Sequence, residues 1–276
     1  MSGSINACTT LNNGVKLPWL GFGVYGIDDG EPVARAVMHA LDNGYRSIDT
    51  ATIYRNETGV GVGIRESGLP REDIFVTTKV WNDDQRADRV HEAFDESLSR
   101  LGTDYVDLYL VHWPVAGCYK KTWKALEAIH RSGRARAIGV SNFMPHQLDD
   151  LLADADIVPA VNQVEFHPYL VQPDLLAYCD AHEIRLEAWS PLMQGKCVDD
   201  ETIRELAARH SKTPAQIVLR WDLQHGVVTI PKSGTPARIE ENAQLFDFEL
   251  TGEEMRMLDG LDRGQRLGPD PYDFDF

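Results

Sequence analysis

A chain of 276 residues, 43% of them hydrophobic and 25% charged, is long enough to bury one sizeable core. Its formal net charge of -16 argues against nucleic acid or an anionic membrane as the main partner, so any anionic ligand needs a local basic pocket. There is no apolar run long enough to span a bilayer and no signal-peptide core, and the separated cysteines Cys8, Cys118, Cys179 and Cys197 show no CxxC pairing; a cytoplasmic protein with reduced thiols is expected.

The first segment, Cys8 to Leu17, reads as a β-hairpin with Asn13-Gly14 as a two-residue turn. A short run at Trp19–Gly23 follows. Helical spacing then appears at Val33, Val37 and Leu41. The apolar run from Tyr45 to Ile48 ends at Asp49, and a helix opens near Glu57. The next run, Ile74 to Thr78, ends at Lys79, and a helix follows with Val90, Phe94, Leu98 and Leu101 on one face. Tyr105 to Val111 forms a strand that ends at His112. Beyond it come a helix over 119–131, a strand at 136–140, a helix at 145–154, a strand at 160–164 and a helix at 173–182. The series closes with a strand at 184–189, helices near 200–210 and 213–224, a strand at 227–230 and a helix at 235–244. The last stretch, Gly268 to Phe276, reads as an irregular tail.

About eight strands, each followed by a helix, imply a parallel sheet, and that many units in roughly 250 residues suit a closed (β/α)₈ barrel. A doubly wound open sheet is the competing arrangement. No linker or break in composition divides the chain, so a single domain over 1–276 is expected, with an N-terminal hairpin and extra C-terminal helices.

In a barrel, active sites lie at the C-terminal ends of the strands, where Asp49, Lys79 and His112 fall, with Tyr54 in the loop after Asp49. Taken singly, each has a bland reading as a helix cap or a solvated strand end. Together they form a proton-transfer device suited to carbonyl reduction. Tyrosine can donate a proton to a developing alkoxide, although its ordinary pKa of about 10 is high for work near neutrality. A lysine beside it depresses that value, Asp49 anchors the lysine, and His112 orients the carbonyl oxygen.

A second cluster follows the last strand, in Ile230-Pro231-Lys232-Ser233-Gly234-Thr235-Pro236-Ala237-Arg238. Thr235 suits an N-cap and Pro236 the first helical position. Free backbone N–H groups there, with Lys232, Ser233 and Arg238, make an anion site; the plain alternative is a helix start with solvated basic residues. Gly59-Val60-Gly61-Val62-Gly63 invites a Rossmann reading, but Ile64 stands at the sixth position of GxGxxG and no apolar strand immediately precedes it. These glycines read instead as close-packing positions on a helix. Asn56-Glu57-Thr58 is a formal glycosylation sequon, expected to be silent.

These residues resemble the aldo-keto reductase superfamily through nearly the whole chain. The resemblance rests on Ile48-Asp49-Thr50-Ala51-Thr52-Ile53-Tyr54, Thr78-Lys79-Val80-Trp81, Leu110-Val111-His112-Trp113-Pro114 and Gly139-Val140-Ser141-Asn142-Phe143. Asn162-Gln163, Trp189-Ser190-Pro191-Leu192 and Ile230-Pro231-Lys232-Ser233 complete it. It implies a barrel that binds NADPH/NADP⁺ without a Rossmann fold, with Tyr54 as general acid/base, Lys79 and Asp49 tuning it and His112 orienting substrate. Ser141, Asn142 and Gln163 would hold the nicotinamide carboxamide, with Trp189, Ser190 and Leu192 also on the cofactor. Lys232, Ser233 and Arg238 would grip the 2′-phosphate, with Glu241 and Asn242 near the adenine.

The sequence departs from the family pattern in places. Trp189 stands where Tyr is frequent, and an indole could still stack on the nicotinamide. Tyr25 replaces a Trp common near the first strand, while Trp81 and Trp113 keep an aromatic wall. The segment Gln194-Gly195-Lys196-Cys197-Val198 is short where longer members cover the cofactor, and the tail is brief. Both resemble compact bacterial members related to 2,5-diketo-D-gluconate reductases and imply an open pocket. The expected activity is NADPH-dependent reduction of small aldehydes and ketones, including sugar-derived or dicarbonyl compounds, by a monomer. One rival is a cofactor-binding regulatory subunit of the same fold, for which the sequence offers no recognisable interaction motif. The other is a metal-dependent hydrolase or lyase, disfavoured because the nine histidines show no HxH or HExxH spacing.

Overall fold

Strands β5 (Phe75–Val80) and β6 (Val106–Val111) are buried at every residue, so both of their faces need cover. In this computed structural model, which describes residues 3–276, that cover is a helical ring on one face and the packed interior of a closed sheet on the other. Eight parallel strands lie in chain order: β3 (Phe22–Gly23), β4 (Ser47–Asp49), β5, β6, β7 (Ala135–Ser141), β8 (Val161–Glu165), β9 (Arg185–Trp189) and β10 (Val228–Thr229). A parallel bridge between Leu20 and Thr229 joins the last strand to the first and closes the barrel. The bond from Gly21 N–H to the Thr229 carbonyl secures the seam. The (β/α)₈ barrel expected from alternation is therefore the observed fold.

The N-terminal hairpin pairs β1 (Cys8–Thr10) with β2 (Lys16–Pro18), antiparallel. Its turn differs from the expected two-residue form. Leu11 N–H bonds to the Val15 carbonyl and Gly14 N–H to the Leu11 carbonyl, which makes 12–14 a three-residue loop. Gly14 sits at φ 87°, so glycine supplies the left-handed residue that such a loop needs, while Asn13 does not adopt it. The hairpin drives Leu11 and Leu17 into a cluster with Phe75, Leu108, Leu110, Ala137, Ala160, Val161 and Val228. Asn12 and Asn13 donate to the Pro159 and Arg136 carbonyls at the starts of β8 and β7, so the hairpin plugs the end of the barrel opposite the candidate site.

The larger core lies between strands and helices. Helix α1 (Glu31–Asp42) contributes Val33, Val37 and Leu41, and α2 (Glu57–Glu66) packs against it. The glycines of α2 are spacers, as the sequence implied. A Cβ on Gly59 would stand 2.3 Å from Val33, and one on Gly63 2.7 Å from the Ala34 carbonyl oxygen. On the other side of α2, a Cβ on Gly61 would stand 2.2 Å from the Leu101 carbonyl oxygen at the end of α4 (Val90–Leu101). Between α2 and α4 comes the short α3 (Asn82–Arg86), which the sequence reading did not separate. Next around the ring come α5 (Tyr119–Arg131), α6 (Pro145–Leu152), α7 (Pro173–Ala181) and α8 (Glu201–His210). The ring ends with α9 (Pro214–Gln224), α10 (Pro236–Ala243) and α11 (Gly252–Asp259). Thr213 with Gln216 and Thr251 with Glu254 form capping boxes that start α9 and α11. Asn56 is buried and donates to the Val24 and Ile27 carbonyls, so it has no free amide for glycosylation.

Gly61→Ala forces backbone apart between α2 and α4. It should lower unfolding stability by about 2 kcal/mol, read as a reduced urea midpoint.

Candidate active site

The C-terminal ends of β4, β5 and β6 bring three of the four expected residues together. A short helical turn over Thr52–Tyr54 after β4 delivers the fourth. Lys79 is fully buried, and its Nζ donates to Asp49 Oδ1 at 2.7 Å, to the Thr50 carbonyl at 2.8 Å and to Tyr54 Oη at 3.5 Å. All three ammonium donors therefore have acceptors, the condition for burying such a charge. Burial alone would lower the Lys79 pKa, but Asp49, Tyr54 and Glu187 more than offset it, and the net shift is upward. The lysine is an ammonium at neutral pH.

Tyr54 corrects one expectation. Its pKa is pushed up to about 12, because burial of the phenol outweighs the opposing pull of Lys79, and Asp49 adds to the rise. The lysine acts in the expected direction but does not win. The phenol is consequently fully protonated at neutral pH, as a proton donor must be. His112 lies edge-on to Tyr54, with ring centroids 5.7 Å apart. Burial first, and Lys79 second, hold its pKa well below 6.5, so the imidazole is neutral. Its Nδ1 is buried without a partner, which suits the tautomer in which Nε2 carries the hydrogen.

The expected carboxamide residues sit on the adjacent strands β7 and β8 and are wired to one another. Ser141 Oγ donates to the Gln163 carbonyl, and Asn142 Nδ2 donates to the His112 carbonyl and to Ser141 Oγ. Trp189 Nε1 donates to Asn142 Oδ1 at 2.8 Å. Gln163 Nε2 donates to Asp49 Oδ2 and to Glu187 Oε2, both at 2.8 Å. The atoms left with free valence here, Gln163 Oε1 above all, are acceptors, and they suit a ligand that presents amide N–H groups. Asn142 and Ser190, which follow β7 and β9, hold φ of 65° and 50°, a backbone region that non-glycine residues rarely occupy. Leu192 lies partly exposed two residues on.

Lys232 and Arg238 are exposed at the start of α10, and Ser233 is buried between them. Thr235 is the N-cap by position, but its hydroxyl caps nothing; Ser233 Oγ instead accepts from Thr235 N–H at 3.0 Å. Asn242 is buried, and Glu241 accepts from Thr213 Oγ1. Two cations, a hydroxyl and a helix N-terminus at one rim fit a phosphate on a chain that is otherwise strongly acidic.

The aromatic wall is present and has more parts than expected. Tyr25 is exposed and lies edge-on to Tyr54 at 5.0 Å, and Trp81 lies edge-on to His112 at 5.2 Å. The tail closes the rest. Phe276 stacks on Trp81 and meets Trp113 edge-on, and Phe274 lies 5.0 Å from Trp113. Asn82 and Arg86 donate to the Phe276 carbonyl, while Glu165 accepts from the Leu267 and Gly268 N–H groups. Gly268 packs so closely on Trp189 that a Cβ there would stand 2.5 Å from the indole. The tail is thus held at both ends, and the pocket is less open than the short loops implied.

Sequence reasoning missed Phe274, Phe276 and Glu187. Aromatic alternation in Phe274-Asp275-Phe276, and an acid inside the otherwise apolar strand Leu186-Glu187-Ala188-Trp189, were the available signals.

The sequence pattern of the aldo/keto reductase family matches residues 20–263. The chain is 55% identical over 271 residues to glyoxal reductase of Bacillus subtilis, covering 98% of each protein. It is similar to the crystal structure of an aldo/keto reductase from Brucella melitensis (47% identity, TM-score 0.89, covering 93% of this chain and 99% of that one). It also matches the structure of a Bombyx mori aldo-keto reductase in complex with NADP (37% identity, TM-score 0.90, covering 98% and 96%).

Lys79→Met leaves the Asp49 carboxylate buried without its cation. It should cost about 3 kcal/mol in urea unfolding, and adding Asp49→Asn should recover part of that loss.

Proposed function

Because the chain belongs to the aldo/keto reductase family, we propose that Tyr54, Lys79, Asp49 and His112 carry an NADPH-dependent reduction of small aldehydes, ketones and dicarbonyl compounds. The observation that carries this reading is the Lys79 ammonium held between Asp49 and the Tyr54 phenol. When bound, NADPH supplies the hydride. Tyr54 gives its proton to the carbonyl oxygen as that oxygen gains charge, which leaves a phenolate beside Lys79. The adjacent cation stabilises the phenolate more than the phenol, so the effect grows along the reaction coordinate. Neutral His112 offers an N–H to the same oxygen and fixes its position, and Asp49 keeps Lys79 from drifting.

Ser141, Asn142 and Gln163 take the carboxamide of the cofactor, and the Trp189 indole supplies an apolar face with Ser190 and Leu192 beside it. Lys232, Ser233 and Arg238 receive the 2′-phosphate, with Glu241 and Asn242 near the adenine. The substrate enters against Tyr25, Trp81 and Trp113, and Phe274 and Phe276 shape the same mouth. The protein works as a monomer in the cytoplasm, a placement supported by its four free thiols. Glyoxal reductase at 55% identity favours short dicarbonyls as substrates.

Tyr54→Phe should lower kcat for glyoxal or methylglyoxal by about a hundredfold or more while the NADPH dissociation constant changes little. Undiminished turnover would remove Tyr54 from the role. Arg238→Met should raise the KM for NADPH by about tenfold and leave that for NADH unaffected, because only the phosphate contact is lost.

A further inference from the structure

Glu187 is a fully buried acid that neither gives nor takes the transferred proton. It lies on β9 beside Gln163 of β8, the two being register partners. A single nitrogen, Gln163 Nε2, holds two carboxylates from different strands: Asp49 Oδ2 and Glu187 Oε2, each at 2.8 Å. A primary amide has two N–H donors, and both are consumed. The other amide atom, Oε1, makes no hydrogen bond among the described residues and is not one of the sealed, unpartnered atoms. Were the amide turned over, its oxygen would face two carboxylates, an acceptor against acceptors. The carboxylate pair therefore dictates which end of the Gln163 amide faces the pocket.

We propose that Glu187 is a positioning residue that, together with Asp49, locks the Gln163 amide so that only its oxygen is presented to the nicotinamide carboxamide. The site then demands an N–H donor at that point of the cofactor. This rests on the reading that the pocket binds NADP(H). Asp49 alone would secure one N–H and leave the other buried without an acceptor; Glu187 supplies that acceptor and adds a second carboxylate against the turned amide.

The lock has a protonation state. Burial, and then the neighbouring Asp49, push the Glu187 carboxyl up to about 7, against the lowering pull of Gln163 and Lys79. The charged groups facing it are Asp49 from β4 and Lys79 from β5; β8 offers the neutral Gln163 and β10 no charged residue. Arg185, two residues earlier on β9, is engaged elsewhere, donating to the Gly226 carbonyl with its guanidinium over the Trp19 ring. A protonated Glu187 can donate to Gln163 Oε1, which removes one of the two carboxylates opposed to the turned amide and leaves Asp49 as the single restraint. The lock tightens as pH rises through about 7.

The test compares binding of NADP⁺ with that of its acetylpyridine analogue, which keeps the ring carbonyl but lacks the amide N–H, by quenching of tryptophan fluorescence. In the wild-type protein the analogue should bind about tenfold more weakly at pH 8.5, the worth of one lost hydrogen bond to a fixed acceptor. That ratio should shrink toward pH 5.5. In Glu187→Leu the ratio should fall toward unity at every pH, and in Glu187→Gln, which keeps the size and the polar contact, it should not vary with pH. Should Glu187→Leu fail to fold, the pH dependence of the wild type against Glu187→Gln decides the matter. A ratio that is the same in wild type and variants, and flat with pH, overturns the proposal. A wild-type protein that binds neither dinucleotide overturns instead the cofactor reading beneath it.

Discussion

A lysine ammonium sealed inside a barrel is costly, and most of the site's arrangement follows from the need to satisfy it. Lys79 has no contact with water, yet each of its three donors reaches an acceptor: a carboxylate, a main-chain carbonyl and a phenol. Replacing a buried ion pair by apolar residues is often neutral or stabilising, so the pair is poor evidence for stability as such. Its effect is on the neighbours. The cation stands ready for a phenolate at Tyr54, helps keep His112 neutral and draws Asp49 into place; Asp49 in turn takes one N–H of Gln163. Acid, carbonyl guide and cofactor clamp are thus tied to one charge.

The barrel makes this convergence possible because parallel strands deliver their C-terminal ends to one rim. Asp49 ends β4, Lys79 is next to last on β5, His112 follows β6, and Ser141 ends β7. At the opposite end the hairpin fills the opening with Leu11 and Leu17, which leaves the rim as the open mouth. Two further elements complete it: the start of α10 gathers basic residues on a chain of net charge -16, and the tail lays Phe274 and Phe276 on Trp113 and Trp81. Glu165 does for the tail what Asp49 does for the lysine, holding Leu267 and Gly268 by their N–H groups so that Gly268 rests against Trp189.

What could be read from the chain was what periodicity and residue type encode. Alternating apolar runs and helical faces specify the barrel, because burying both faces of a parallel strand leaves a recognisable run. The glycines at 59, 61 and 63 could be assigned to packing because no apolar strand immediately precedes them and Ile64 stands at the sixth position of the motif. Features that depend on contacts between distant segments were less visible. Tyr54 was expected to lose its proton more readily, since the neighbouring lysine is legible in the sequence while the depth of burial is not. The hairpin was foreseen but not its turn, because Asn13-Gly14 serves equally as the end of a three-residue loop with Gly14 left-handed. The tail read as irregular, and so it is, but side-chain anchors on α3, β8 and Trp189 give it a fixed path that no local pattern encodes. Glu187 escaped notice because a single acid in a strand is ordinarily a solvated one, and only the closed sheet turns it inward to Gln163.

The protonation state of Lys79 tests the whole arrangement most directly. Nitrogen-15 NMR of lysine-labelled protein, with the Nζ signal of Lys79 identified by its loss in a substituted protein, follows that group through a titration. An ammonium that persists beyond pH 10.5, the ordinary lysine value, is the predicted result. A neutral amine at pH 8 would contradict the account, because Tyr54 would then have no charge to move its proton against and Asp49 no reason to be held where it is.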